Sequence, residues 1–284
     1  MQYHVNGRLV PAEEATVSVR DRGFRYGDAA FETLRAYGGT VFRRDAHADR
    51  LRGTCDVLGM ADAVPGDLRE RVRATLDAND LADAYVRLAV TRGVQPGTLT
   101  PDSDVDPTVV VEVAPLPRGG ETGTPVWDGP ATVVTSDVQR VPDAAIPARA
   151  KTHSYLNGVL ARLDAGDDIE EALLCDADGH VAEGATSNVF AVRDGTLYTP
   201  ALDGPVLPGV TRDTVLELAD DAGVPVETGP LSPEAVRTAD EAFLTNTTWE
   251  LRPVATLDGE AVGGGPVTER LARAFDALVE RRHY

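Results

Sequence analysis

The chain has 284 residues, 42% of them apolar, which is about two domains' worth of sequence with enough apolar side chains to bury a sizeable core. Its formal charge of −19 leaves no basic stripe to neutralise phosphates in bulk, so nucleic acid and anionic membrane are excluded as partners. The N-terminus MQYHVNGRLV lacks a basic segment followed by an apolar one, and no run approaches the ~18 apolar residues that span a bilayer. A soluble, cytoplasmic protein is expected.

The opening HVNGRLV reads as two short strands joined by Asn-Gly, a strong hairpin signal. AAFETLRAY and TVFRR flank a Gly38-Gly39 turn, and DAHADRLRGTCDVLGM follows as a helix with an apolar face at Ala48, Leu51, Cys55 and Leu58. DLRERVRATLDAND is a second amphipathic helix, and AYVRLAVTRG and PTVVVEVAPL are β-branched runs expected at the centre of a sheet. Residues 1–117 thus form one α+β domain. The Gly- and Pro-rich stretch 118–130 reads as a linker or loop, and a second domain covers 131–284. That second part contains the strand ATVVTSDV, a helix over YLNGVLARL and a meander from EALLC to LYTP with DADG and RDG turns. The helix TRDTVLELADDAG, the strand AFLTNTT, a hairpin at Asp258-Gly259 and the helix PVTERLARAFDALVERR complete it.

Acidic residues are spread in short units such as DAND and DAGDD, which suggests a solvated acidic surface and, as a hypothesis, adaptation to a high-salt cytoplasm. Cys55 and Cys175 match neither zinc spacing nor CxxC, and the histidines form neither HExxH nor HxH, so free thiols and no metal site are expected. Asn246-Thr247-Thr248 matches a glycosylation sequon and, without a secretion signal, reads as chance.

Lys151 is the only lysine, every other basic side chain being arginine. An isolated lysine is by default a solvated charge. Lysine, unlike arginine, can shed a proton near neutral pH when desolvated and then attack a carbonyl or take a proton. Four other stretches bear on that choice. In VAEGATSNVF, Glu183 precedes a small-residue turn and is either a surface charge or the partner of a ring nitrogen. In VLPGVTRDTVLEL, Pro208-Gly209 leads into a helix whose first turn holds Val210 and Thr211, a seat for phosphate. TNTTWE offers hydroxyls and amides at a strand end, and Arg50 in HADRL offers a fixed cation. Together these groups describe one ligand, a phosphate-bearing aldehyde with a ring nitrogen: pyridoxal phosphate.

Those stretches, taken in order with RGFRYGDAAFETLRAY and DEAFLTNTTWELRPV, resemble the class IV aminotransferases almost end to end. That family has the two-domain fold type IV and includes branched-chain aminotransferases, D-amino acid aminotransferases and 4-amino-4-deoxychorismate lyases. The resemblance implies that Lys151 is the Schiff-base lysine and moves the proton between substrate and cofactor. Glu183 faces the pyridine nitrogen, Arg50, Val210, Thr211 and Thr247 hold the phosphate, and Leu207 packs under the ring. It places the substrate carboxylate at the backbone of Thr247 and Thr248, and it implies a homodimer.

Transamination and lyase chemistry remain open on these motifs. The Arg and His that D-amino acid aminotransferases carry after TRG are Gly97 and Leu99 here, in TRGVQPGTL, and their pocket tyrosine is Phe31. Tyr85-Val86-Arg87, Tyr155-Leu156-Asn157 and ELRPV resemble branched-chain aminotransferases, whereas FET after YGD is closer to the deoxychorismate lyases, whose KxxNR is absent. Tyr26, Phe31, Arg35, Tyr85, Arg87, Trp127 and Tyr155 are candidates for the pocket wall or for core packing. The expectation is a transaminase passing the amino group of an aliphatic or branched L-amino acid to a 2-oxo acid such as 2-oxoglutarate, with the lyase as the alternative.

Overall fold

Asn6 and Gly7 both take positive φ, 47° and 85°, the combination that lets a two-residue turn follow the twist of its strands. They join β1 (Gln2–Val5) to β2 (Arg8–Pro11) in antiparallel register, Val5 opposite Arg8. The computed structural model describes residues 1–118 and 127–284, and its chain divides into two units. Unit one is Met1–Arg118, Ala150–Ser154 and Arg282–Tyr284; unit two is Gly119–Arg149 and Tyr155–Arg281. Of the expected 118–130 linker, residues 119–126 lie outside the described residues.

In unit one, α1 (Arg22–Tyr26) begins where the Asp21 carboxylate accepts from the Gly23 amide and ends at Gly27, φ 68°. Strands β3 (Ala29–Tyr37), β4 (Thr40–Val41), β5 (Ala84–Thr91) and β6 (Val109–Pro115) join the hairpin in the antiparallel order β2-β1-β6-β5-β3-β4. The β-branched runs are central, as expected. TVFRR pairs only over Thr40–Val41, because Arg43 turns left-handed (φ 48°) and α2 starts at Arg44. Strand alternation decides the core: Ala30 and Leu34, Val86 and Leu88, and Val109 and Val111 share the face covered by Leu51 and Cys55 of α2 (Arg44–Val57) and Val72 and Leu76 of α3 (Leu68–Asp77). Each buried Val or Leu among them contributes roughly 1.5–3 kcal/mol.

The sequence places Lys151 in the second domain, but the structure groups Ala150–Ser154 with the first. The cause is backbone pairing: Ala30 bridges Thr152, while the Phe31 amide donates to the Lys151 carbonyl and the His153 amide to the Ala29 carbonyl, both at 3.0 Å.

Unit two contains β7 (Ala131–Thr135), α4 (Leu156–Ala165), β8 (Glu171–Cys175), β9 (Val181–Gly184), β10 (Asn188–Arg193), β11 (Thr196–Thr199) and α5 (Val210–Asp221). It continues with β12 (Val226–Thr228), α6 (Pro233–Arg237), β13 (Glu241–Asn246), β14 (Glu250–Leu257), β15 (Glu260–Ala261) and most of α7 (Pro266–His283). The sheet runs β12-β11-β10-β13-β14-β7-β8-β9 with β15 on β14, and pairs in parallel at β14/β7, β7/β8 and β11/β12. Val133, Leu173, Val189, Leu244, Val254 and Leu257 pack one core, while Phe190 and Phe243, from adjacent strands, stack at 4.9 Å.

Candidate active site

Both backbone polar groups of Lys151 are tied down. Its amide donates to Thr54 Oγ1 at 3.0 Å, that hydroxyl donates on to the Arg50 carbonyl at 3.0 Å, and its carbonyl accepts from Phe31. The side chain is thereby aimed: Nζ lies 4.4 Å from the centre of the Phe31 ring. The Arg87 guanidinium lies 4.4 Å from the same centre, and the His153 ring 5.5 Å away. Burial first, with the Arg87 charge behind it, pushes His153 down to about 4, so the ring is neutral at physiological pH.

Arg50 sits on α2 opposite strand β3. Its Nε and Nη2 donate to the two oxygens of Glu32 at 2.8 and 2.6 Å, and His47 Nδ1 donates to the second oxygen at 2.7 Å. Burial raises the Glu32 pKa, but the charge and hydrogen bonds of Arg50, aided by His47, win and bring it to about 2. Burial is also the largest influence on His47 and lowers it, against the pull of Glu32.

The expected pocket wall divides between the units. Phe31 and Arg35 on β3 stand opposite Ala89 and Tyr85 on β5, and Thr33 stands opposite Arg87, so Phe31, Arg35, Tyr85 and Arg87 share the sheet face away from α2 and α3. Arg35 is buried, donates to the Pro117 carbonyl at 2.8 Å and stacks on Tyr37, which is a packing role. Tyr26, at the end of α1, lies beside the Arg22 and Arg25 guanidinium groups and donates to the Gly97 carbonyl. Trp127 and Tyr155 belong to unit two; the Trp127 indole donates to the Trp249 carbonyl at 3.2 Å, and Tyr155 precedes α4.

In unit two, β9 carries Glu183, whose Oε1 accepts from Arg140 Nε at 2.7 Å and whose Oε2 accepts from the Leu207 amide at 2.9 Å. The Leu207 carbonyl accepts from Asn188 at 3.0 Å, so the residues at either end of the Gly184–Ser187 loop hold the same peptide segment. Gly209 follows as the N-cap of α5 with no side-chain cap, and a Cβ there would come within 1.9 Å of Asn188 Oδ1. The first-turn amides of Val210 and Thr211 therefore start the helix with backbone alone at their mouth, a seat for an anion. Asn246 Oδ1 accepts from Thr248 Oγ1 and from the Thr248 and Trp249 amides, which fixes the turn holding Thr247 and Thr248. The groups present fit a phosphorylated pyridine aldehyde: an amine, a cation and an uncapped helix start for phosphate, and a carboxylate for the ring nitrogen.

Sequence reasoning does not single out Glu32, His47, Thr54, Arg140 or Asn188. Two of them leave a trace: Glu32 interrupts the core-facing parity of Ala30 and Leu34, and His47 lies three residues before Arg50 on one helix face. Cys55 is buried, and its thiol is pushed up to about 11 chiefly by burial. Asp176, Asp178 and His180 come together at the DADG turn, where Asp176 Oδ1 accepts from the Asp178 and His180 amides.

The chain matches the amino-transferase class IV family over residues 29–257. A putative branched-chain-amino-acid aminotransferase of Methanocaldococcus jannaschii is 37% identical over 97% of this chain and 95% of that protein. The T.th. branched-chain amino acid aminotransferase complexed with N-(5′-phosphopyridoxyl)-L-glutamate superposes with a TM-score of 0.87 at 31% identity, covering 99% of this chain and 95% of the other. 4-Amino-4-deoxychorismate lyase from Pseudomonas aeruginosa superposes with a TM-score of 0.83 at 32% identity, covering 99% and 100%. With a family match over most of its length and relatives that align nearly end to end, this chain belongs to the class IV aminotransferases, pyridoxal-phosphate enzymes of fold type IV.

Proposed function

We propose that the protein transfers the amino group of a branched-chain L-amino acid to a 2-oxo acid such as 2-oxoglutarate. The observation that carries this reading is the Phe31 ring, which meets Lys151 Nζ and the Arg87 guanidinium at 4.4 Å each. An aliphatic side chain packs against that ring, while the distal carboxylate of glutamate or 2-oxoglutarate finds Arg87, at most twice that distance from the amine.

When bound, pyridoxal phosphate supplies the electron sink that makes the α-proton of an amino acid removable. Lys151 would hold its carbonyl carbon until the substrate amine displaced it, and would then take the proton from the substrate's α-carbon and deliver it to that carbonyl-derived carbon, two atoms away across the nitrogen. Glu183, with one oxygen fixed by Arg140 and the other by the Leu207 amide, would accept from the pyridine N–H and hold that proton in place. Arg50 of unit one and, in unit two, the Val210 and Thr211 amides and Thr247 would hold the phosphate; Leu207 would pack on the ring, and the Thr247 and Thr248 backbone would hold the substrate carboxylate. In unit one, Tyr26 and Tyr85 are the further candidates for contact with the substrate side chain, while Arg35 packs on Tyr37; in unit two the candidates are Trp127 and Tyr155.

The test is an absorbance spectrum of the holoenzyme with L-leucine in one cuvette and 4-amino-4-deoxychorismate in another. Loss of the visible band with leucine, restored by 2-oxoglutarate, supports the transaminase. An unchanged band with leucine, together with release of 4-aminobenzoate in the second cuvette, replaces this reading with the lyase.

The working state is a homodimer. On α4, Leu156, Val159, Leu160 and Leu163 recur at helical spacing and are 46–73% exposed, an apolar stripe of the kind that a second copy covers. Light scattering of Leu160→Asp and Leu163→Asp against wild type decides it, a wild-type monomer refuting the proposal. No described helix is long and apolar enough to cross a membrane. The setting is a high-salt cytoplasm, and unfolding midpoints that stay level from dilute buffer to concentrated KCl would refute the salt adaptation.

A further inference from the structure

Glu32 occupies a position that elementary energetics disfavours. Strand parity points it at α2 among Ala30, Leu34, Leu51 and Cys55, and it is wholly buried. A carboxylate there survives only if its oxygens are paired. Arg50 takes both oxygens through its Nε–Nη2 edge at 2.8 and 2.6 Å, and His47, itself buried, donates to the second at 2.7 Å. Because a carboxylate only accepts, Nδ1 of His47 carries the proton. The result is a planar fork that fixes a guanidinium which would otherwise rotate about its alkyl stem, with the ordering entropy spent before any ligand arrives.

We propose that Glu32, locked by His47, is the positioning residue that holds the Arg50 guanidinium for the cofactor's phosphate. The inference rests on the reading of Arg50 as a phosphate ligand. Two effects oppose each other in it. The negative charge of Glu32 offsets that of Arg50 and weakens attraction for a dianion, whereas the fork holds the guanidinium in one plane before a phosphate arrives. Geometry decides for orientation. Each Glu32 oxygen receives at least one donor from Arg50, so Glu32→Gln in either amide orientation sets an NH2 against an Arg50 donor 2.6–2.8 Å away. The guanidinium then leaves its plane.

The experiment titrates the full chain, stripped of cofactor, with pyridoxal 5′-phosphate and separately with pyridoxal, which has the same aldehyde and ring but no phosphate. The visible band is followed, and folding of each variant is checked by circular dichroism. Glu32→Gln and Arg50→Gln are expected to weaken pyridoxal phosphate about tenfold or more, the worth of one charge-assisted hydrogen bond, and to leave pyridoxal unchanged. His47→Leu should give a smaller loss of the same selectivity, and His47→Asn, whose amide stands where Nδ1 does, should restore it. These two variants carry the test if Glu32→Gln does not fold. If Arg50→Gln weakens pyridoxal phosphate while Glu32→Gln binds it as tightly as wild type or more tightly, the positioning role is overturned and the phosphate reading stands. Equal losses for both ligands in Glu32→Gln reduce Glu32 to a general packing role and also overturn it. If Arg50→Gln binds like wild type, the phosphate reading fails and takes the proposal with it.

Discussion

Glu171 offers the sharpest test of how unit two holds its functional groups. Its carboxylate is wholly buried on β8. Oε2 accepts from the Thr186 amide at 3.0 Å, from Thr186 Oγ1 at 2.8 Å and from Ser187 Oγ at 2.8 Å, and Oε1 accepts from the Ala172 amide at 3.0 Å. Thr186 is exposed, so its two donors recover water when the carboxylate is removed; Ser187 and Ala172 are buried and do not. With hydrogen bonds to a charged group worth about 2 kcal/mol each, the two stranded donors set the cost of Glu171→Ala at about 4 kcal/mol before any cavity is counted. Glu171→Gln keeps an oxygen facing the three donors at Oε2, at roughly half the strength, and sets its NH2 against the Ala172 amide, for about 2 kcal/mol. Urea unfolding of the cofactor-free chain measures both, and the order wild type, Gln, Ala is the prediction. The anchored loop joins Glu183 to Asn188, so both variants should also bind pyridoxal phosphate more weakly. A loss below about 1 kcal/mol for Glu171→Ala, or a Gln variant less stable than the Ala variant, refutes the hydrogen-bond reasoning.

Lys151→Arg keeps a cation over Phe31 but cannot become a neutral amine, so it should form no visible band with pyridoxal phosphate and should lose at least about a thousandfold in half-reaction rate. Gly209→Ala drives a methyl into Asn188 Oδ1 at the start of α5, and should weaken pyridoxal phosphate far more than pyridoxal in the same titration. Acid should destabilise the fold in two stages. His153, lowered from 6.5 to about 4 by burial and then by Arg87, contributes stability that is present above pH 6.5 and lost as pH falls toward 4; Glu32, held near 2 by Arg50 against its burial, contributes stability present above pH 4.5 and lost toward pH 2. Urea midpoints measured across that range should flatten in the first stage for His153→Leu and in the second for Glu32→Gln.

Elements were legible in this sequence wherever period and punctuation agreed. Asn6-Gly7, Asp194-Gly195 and Asp258-Gly259 each take the positive φ that their dipeptides foretell, and α2, α3, α5 and α7 follow their apolar spacing. Arg43 was not legible: nothing in TVFRR marks it for the left-handed region, so the strand reads longer than it is. Lys151 stood out in the sequence as the single lysine, but its place in the fold did not. Its strand partners Ala29, Ala30 and Phe31 lie about 120 residues earlier, and no local pattern reports a pairing that distant. Separations of 43 and 97 residues hid Arg140 behind Glu183 and Thr54 behind Lys151.

Four of the arginines have a structural reason to be arginine. Arg22 and Arg92 converge on Asp28, Arg50 forks onto Glu32, and Arg140 holds Glu183, each with side chains largely withdrawn from water. At such places a planar group that keeps its charge and its geometry is what the carboxylate requires, and a lysine would bring one rotating point charge with a proton it can lose. Lys151 meets the opposite demand: its Nζ rests over the Phe31 ring, where a quadrupole attracts an ammonium without fixing its direction. On the proposed reading, exchanging Lys151 for Arg should halt the chemistry, whereas exchanging Arg50 or Arg140 for Lys should loosen cofactor binding and leave slow turnover at saturating cofactor.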